Sequence, residues 1–211
     1  FCDERDEKLY KYVDIDGQFW MAENLNHKVA GSKCGSVLSG SGTLSADAAA
    51  CDKYGRLYDW ATAMNIAASC NTSTIANCGA TVFPKHQGVC PSGWHLPSNA
   101  EWNVLMKFAN PSCSDNAHCA GAGTKLKAEN GWNTGSGYIP GTDDHGFSAL
   151  PGGYGDSGGS FSNAGGSGFW WSSSENNGSS AYSRYMDYDG EIAYWSSSDK
   201  GFLFSVRCLQ D

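Results

Sequence analysis

The sequence predicts one α+β domain in which two helices flank a twisted antiparallel sheet, with many loops and several disulfide staples. Three observations carry this. A stretch beginning at Cys90 runs into a helix with a complete start signal. The region from Phe169 onward alternates as antiparallel strands do. Nine cysteines in 211 residues suit an oxidising compartment. No Cys-x-x-Cys pair occurs among them, which removes the usual zinc and redox spacings.

Residues 1–8 are highly charged and are expected to form a flexible lead-in, leaving 9–211 as the domain. Leu9 to Leu25 reads as a hairpin. Tyr10, Tyr12 and Asp14 alternate with Lys11, Val13 and Ile15, and Asp16-Gly17 supplies a turn with positive φ. Ser32 to Ala50 is rich in Gly, Ser and Ala and is expected to be a disulfide-closed loop. Tyr54-Gly55-Arg56 precedes the first helix, whose buried stripe is Leu57, Trp60, Ala61 and Met64. Ile66 to Gly88 reads as an insertion. The second helix starts after Pro97, with Ser98 and Glu101 spaced as a capping box. Trp102, Leu105, Met106 and Ala109 make its apolar face. Gly152 to Gly168 reads as a glycine-serine loop. Phe169–Ser173 is then a strand, and Ala181–Tyr188 pairs with Glu191–Ser196 about Asp189-Gly190. Phe202–Leu209 is the last strand, alternating so that one face is core.

Pairing neighbouring cysteines gives Cys34–Cys51, Cys70–Cys78 and Cys113–Cys119, with Cys90–Cys208 tying the second helix to the last strand. Cys2 is left over. The net charge of −8 disfavours nucleic acid, whose phosphates need a basic surface. No run of 18 apolar residues occurs, so no membrane span is expected. Asn71-Thr72-Ser73 and Asn177-Gly178-Ser179 match the N-glycosylation pattern.

Several segments resemble a known family. Trp94-His95-Leu96-Pro97-Ser98 with Glu101-Trp102 is similar to the signature helix of the Fibrobacter succinogenes major paralogous domain family. Gln18–Leu25, Tyr54–Trp60, Gly146–Gly153 and Gly201–Cys208 agree in the same order. The resemblance implies a C-type-lectin-like fold in a bacterial protein. It extends, more distantly, to formylglycine-generating-enzyme-like proteins and to the variable proteins of diversity-generating retroelements. In the latter, the segment matching Trp171 to Phe204 would be the diversified binding site.

The chemistry-bearing patterns point away from catalysis. Gly155-Asp156-Ser157-Gly158-Gly159 spells a serine-protease nucleophile loop, and Ala117-His118-Cys119 resembles its histidine segment. The spacing between His118 and Ser157 does not accommodate two β-barrels, and triad function needs the histidine within hydrogen-bond reach. The resemblance to formylglycine-generating enzymes would imply a close late cysteine pair for copper, or a histidine triad for iron in their relatives; Cys208 is the sole cysteine after Cys119, and no His-x-x-x-His occurs among five histidines. Asp143 and Asp144, with Asn133 and turn carbonyls, form a donor set that suits Ca²⁺. The sugar-binding calcium signatures of true C-type lectins are absent.

What remains is a surface. Trp171, Tyr182, Arg184, Tyr185, Asp187, Tyr188, Asp189, Glu191, Tyr194, Trp195 and Asp199 lie in the late meander, with Ser and Asn between them. Tyr and Trp give large contact area at small entropic cost. A two-residue Asp189-Gly190 turn sets Tyr185 opposite Tyr194 and Arg184 opposite Trp195. The expected function is therefore non-enzymatic binding of a glycan or protein ligand, as an adhesin or receptor-binding module at a bacterial cell surface. The alternatives are a subunit of a surface filament or a retroelement-diversified binding protein.

Overall fold

A computed structural model describes residues 1–35 and 48–211. Most of the loop expected between Ser32 and Ala50 lies outside the described residues. Its closing bridge, Cys34–Cys51, is formed, and its last residues begin a short helix, α1 (Ala48–Tyr54).

The first residues correct an expectation. Residues 1–8 do not trail away from the domain. Strand β1 (Cys2–Asp3) pairs with β2 (Lys8–Leu9), and Phe1 stacks on Trp94 with ring centroids 4.3 Å apart. Several of the charges that suggested mobility are paired instead. Arg5 grips buried Asp3 at 2.8 and 2.7 Å and donates to the carbonyls of Val89 and Cys90.

The expected hairpin follows as β3 (Tyr12–Ile15) and β4 (Gln18–Met21). Asp16 and Gly17 both have positive φ, 54° and 77°, the conformation a tight two-residue turn needs. This hairpin joins a four-stranded sheet in the order β3-β4-β11-β5, with β5 at Trp94–His95 and β11 at Leu209–Gln210. The two ends of the domain therefore share one sheet.

Helix α2 (Trp60–Met64) is capped by Asp59, whose carboxylate accepts from the Thr62 amide at 2.9 Å. It is shorter than the apolar stripe suggests. Leu57 is buried but precedes the helix, bridging to Lys33. A 3-10 turn (Ala68–Asn71) and α3 (Ile75–Cys78) follow, tied by Cys70–Cys78. Helix α4 (Asn99–Ala109) carries the full capping box of Ser98 and Glu101. Its stripe of Trp102, Leu105, Met106 and Ala109 is buried. Helix α5 (Ala122–Leu126) comes after the Cys113–Cys119 bridge. Hence α1, α3 and α5 add to the two helices the sequence predicts.

The larger sheet has five strands: β6 (Gly152–Gly155), β7 (Phe161–Ala164), β8 (Ser167–Glu175), β9 (Ser180–Asp187) and β10 (Tyr194–Asp199), in the order β10-β9-β8-β6-β7. The glycine-serine loop read at 152–168 is thus a hairpin. Glycine is needed there for close approach. A Cβ on Gly153, at φ +67°, would lie 2.2 Å from the Ser162 carbonyl oxygen. The sheet is antiparallel except between β6 and β8, which pair in parallel at Gly153 and Gly168. In the β9–β10 pair, Tyr185 stands opposite Tyr194 and Arg184 opposite Trp195, as the sequence predicts. The connection is longer than two residues, because Ala193 pairs with Cys119 instead.

The last segment differs from expectation. Phe202 to Cys208 forms isolated bridges to Tyr58, Gly155 and Trp170 rather than one strand. Residues 203–208 are buried on both faces, not one. Adjacent tryptophans in β8 explain how. Trp170 enters one core with Trp102 and Phe147, and Trp171 enters the other with Tyr58 and Phe204. Trp20, Trp102 and Phe147 meet with centroids 4.8–5.9 Å apart.

The bridge Cys90–Cys208 spans 118 residues, so it constrains the unfolded chain most. The double variant Cys90→Ala/Cys208→Ala is expected to lose about 4–5 kcal/mol in a urea titration under the chain-entropy model. Removing Cys113–Cys119, separated by 6, should cost clearly less.

His95 supplies a second test. It is buried, with Nε2 3.0 Å from Glu101 and Nδ1 2.8 Å from Asp211. Burial alone would lower its pKa, but the two carboxylates outweigh it and raise the pKa above the ordinary 6.5. The folded state therefore holds this proton more tightly than the unfolded chain. Its stabilisation is full below pH 6.5 and is lost as pH rises through the folded value. Denaturation midpoints from pH 6 upward should fall, and His95→Gln should remove that part of the slope.

Candidate functional site

Alternation along β8, β9 and β10 sets side chains from neighbouring strands in rows. Phe169 faces Tyr185, and Tyr185 faces Tyr194. Their rings stack in series, with centroids 5.3 Å apart and then 4.4 Å apart at an interplanar angle of 5°. Tyr154 of β6 extends the row, edge-on to Phe169 at 5.2 Å, and Phe202 lies 6.0 Å beyond it. His118 closes the other end against Tyr194 at 5.2 Å. Six rings therefore cross the sheet, all short of full burial. Aromatic cross-strand pairs each contribute roughly 0.2–1 kcal/mol, so the row also stiffens the sheet.

A cleft of about 350 Å³ opens along part of this row. Tyr154, Phe169, Tyr185 and Phe202 form its walls, with Asn163 and Ser198 as polar members. Among the described residues, no charged side chain lines it. Burial, then the neighbouring Asp187 and Tyr194, push the Tyr185 pKa upward, so its hydroxyl stays protonated at neutral pH.

The opposite face carries a second aromatic pair. Tyr182 stacks on Trp195 at 5.4 Å, and the Trp195 indole donates to Asn99 Oδ1 at 3.1 Å. Beneath them, Arg184 donates to Asn103 Oδ1 at 2.7 Å and to the Ser183 carbonyl at 3.1 Å, while its Nε has no partner among the described residues. Burial draws its pKa down to about 10.

Two expected surface residues are therefore interior. Arg184 is 1% exposed and braces β9 against α4. Trp171 is fully buried, donating to the Tyr58 carbonyl at 2.8 Å and packing on Phe204 at 4.3 Å. The late aromatics do not form one continuous ribbon, because successive side chains of a strand point to opposite faces.

The acidic members serve the frame or its rim. Asp187 accepts from the Ser167 hydroxyl at 2.6 Å. Asp199 accepts from the Gly201 amide at 2.7 Å. Asp189 and Glu191 are exposed on the β9–β10 connection, beside half-buried Tyr188. Lys127 holds that connection from below. Its ammonium donates to the carbonyls of Ile139, Asp187 and Gly190 at 2.8, 3.0 and 2.8 Å. Burial draws its pKa down to about 8, against the opposing pull of Asp187 and Asp189.

For metals, Asp143 directs both carboxylate oxygens at Ser148, one to its amide at 2.7 Å and one to its hydroxyl. Asp144 is exposed, and Asn133 packs against Gly165. Among the described residues, Asp3, Asp6 and His27 form a group whose ligand atoms converge. Asp3 there already faces the Arg5 guanidinium, and His27 lies 3.2 Å from Asp6. The group is accounted for by these contacts.

The sequence misses Tyr154, Phe169, Phe202 and Asn163 as site residues. Their signal was present but ambiguous. Tyr154 and Asn163 sit in a stretch whose glycines read as loop, and Phe169 and Phe202 read as ordinary core positions of strands.

A family model described as the Fibrobacter succinogenes major domain matches residues 13–210. No curated protein and no solved structure matches the chain.

Proposed function

Because the chain belongs to the Fibrobacter succinogenes major domain family, whose description names no activity, we propose its function from the surface: it is a non-enzymatic ligand-binding module. On this reading it has a C-type-lectin-like fold and works outside the bacterial cell, as an adhesin or receptor-binding domain. The observation that carries the proposal is the six-ring row with its uncharged cleft. Half-buried aromatics held in register offer apolar area with little further entropy to lose on binding. Four disulfides suit an oxidising, extracellular setting, and among the described residues no helix is long and apolar enough to cross a membrane.

Other features favour binding over catalysis. Asp156 accepts from the amides of Gly158 and Ser160 and so shapes its own turn. His118 packs on Tyr194. Both nitrogens of His95 face carboxylates. These three groups have structural partners that explain them without a nucleophile.

The proposal is tested with Tyr185→Ala/Tyr194→Ala, screened against wild type on glycan and protein arrays. The variant should lose the captured ligand, since central aromatic anchors typically contribute about 2 kcal/mol or more. Retained binding by a folded variant would remove this face from the function.

A further inference from the structure

We infer that the Cys34–Cys51 bridge is a thiol-exchange site, at which a small external thiol forms a mixed disulfide with Cys34 while Arg56 holds the departing Cys51 thiolate. The other three bridges are structural. This inference goes beyond the binding reading above and does not depend on it.

The geometry starts from a short ladder. Lys33 and Leu57 form an antiparallel bridge, exchanging backbone hydrogen bonds at 2.9 and 2.8 Å. The next residues along, Cys34 and Arg56, therefore stand opposite each other, where side chains meet. The Arg56 guanidinium reaches both sulfurs, with Nη1 3.4 Å from Cys34 Sγ and 3.5 Å from Cys51 Sγ. Its Nε donates to the Ser32 hydroxyl at 2.8 Å and its Nη2 to the Ser32 carbonyl at 3.2 Å. These partners are neutral, so none of them cancels the positive charge. The ladder and the Ser32 contacts do not pass through the sulfurs, so the guanidinium keeps its place when the bridge opens.

That charge acts on the way a disulfide opens. An entering thiolate attacks one sulfur and forms a new S–S bond to it. The other sulfur leaves with the electron pair of the broken bond. One disulfide replaces another, so no oxidant or reductant is consumed. Cys34 is half-buried and Cys51 is buried. The entering thiol therefore meets Cys34, and Cys51 is the leaving group. An adjacent arginine stabilises a cysteine thiolate, and a more stable thiolate leaves faster. Hydrogen bonds from a charged donor are also roughly twice as strong as neutral ones. The same contact shifts the equilibrium toward the open form. Asp52 and Lys53 flank Cys51 with opposite charges, and both are exposed to screening solvent.

The remaining bridges are placed differently. Cys90 and Cys208 are both fully buried, so no thiol reaches them. Cys78 Sγ lies 3.4 Å from the Ile75 carbonyl oxygen, and Cys119 Sγ lies 3.5 Å from that of Met106. A carbonyl dipole aimed at a sulfur opposes a developing thiolate. Cys51 has such a neighbour too, the Lys33 carbonyl, but at 4.0 Å it is farther away than the guanidinium. Among the described residues, Arg56 is the one cation that donates to a bridge sulfur.

The test uses the whole chain with Cys2→Ser, which removes the exposed free thiol, so every adduct comes from a bridge. The protein is incubated with reduced glutathione at neutral pH, quenched in acid and mapped by peptide mass spectrometry. A glutathione adduct on Cys34 should form roughly tenfold or more faster than one on any cysteine of the other three bridges. Adding Arg56→Met should slow that adduct by roughly tenfold. In glutathione redox buffers the same variant should lower the equilibrium constant for opening by about tenfold, which is about 30 mV. Arg56→Lys keeps the charge but not the planar fork, and should fall between the two. Comparing the four bridges needs no Arg56 variant, so it stands even if Arg56→Met fails to fold. Cys34–Cys51 opening no faster than Cys113–Cys119, or an adduct on Cys51 in place of Cys34, would overturn the site. An unchanged rate in a folded Arg56→Met protein would overturn the role of the guanidinium.

Discussion

Arg207, Lys200 and Lys127 are buried cations, and each gathers backbone carbonyls from segments with little regular structure. Arg207 reaches the carbonyls of Met21, Phe147 and Ser148 as well as Asn24 Oδ1. Lys200 reaches those of Cys70 and Ser73 at 3.0 Å and pairs with Glu175 at 2.6 Å. Lys127 joins Ile139, Asp187 and Gly190. Each also lies over an aromatic ring: Phe147, Trp60 and Trp132 respectively. A buried carbonyl must find a donor, and a loop has no ladder to provide one. An ammonium supplies three donors and a guanidinium five. Cation–π contact and several hydrogen bonds offset the desolvation that burying a charge costs.

This arrangement fixes the ends of the five-stranded sheet. Lys127 secures the β9–β10 connection, and Gly123 allows α5 to approach it, since a Cβ there would lie 2.6 Å from the Ile192 carbonyl oxygen. Lys200 terminates β10 and ties it to the loop closed by Cys70–Cys78. Disulfides and cations act on different states. The bridges restrict the unfolded chain, whereas the cations order the native loops. Between these fixed ends, the ring row keeps its register without needing to be sealed inside.

Much of this was legible from residues alone. Ser98 and Glu101 gave the α4 start, because a capping box is local chemistry. Asp16-Gly17 gave the first turn for the same reason. Three bridges followed from neighbour pairing, and Cys90–Cys208 from the two structural cysteines that pairing left at the central helix and the last strand. The β9–β10 register was readable because one turn centre fixes every opposite pair. Trp171 and Arg184 were misplaced because a polar, aromatic segment does not reveal which of its faces meets a helix. Tyr154 and Asn163 were missed because closely packed glycine strands and flexible loops share a composition. The buried cations were not legible at all. A lone Lys127 or Lys200 in a sequence reads as a solvated charge, and the carbonyls that bind it come from distant segments.

A buried cation, in addition to the Cys119–Ala193 bridge, holds the loop at the end of the five-stranded sheet. Amide hydrogen exchange on Lys127→Met tests it directly, since Met keeps the bulk and removes the donors. Amides at 188–193 and at Ile139 should lose protection by roughly tenfold or more, while those of β8 and β9 keep theirs. Unchanged protection across 188–193 in the folded variant would contradict it.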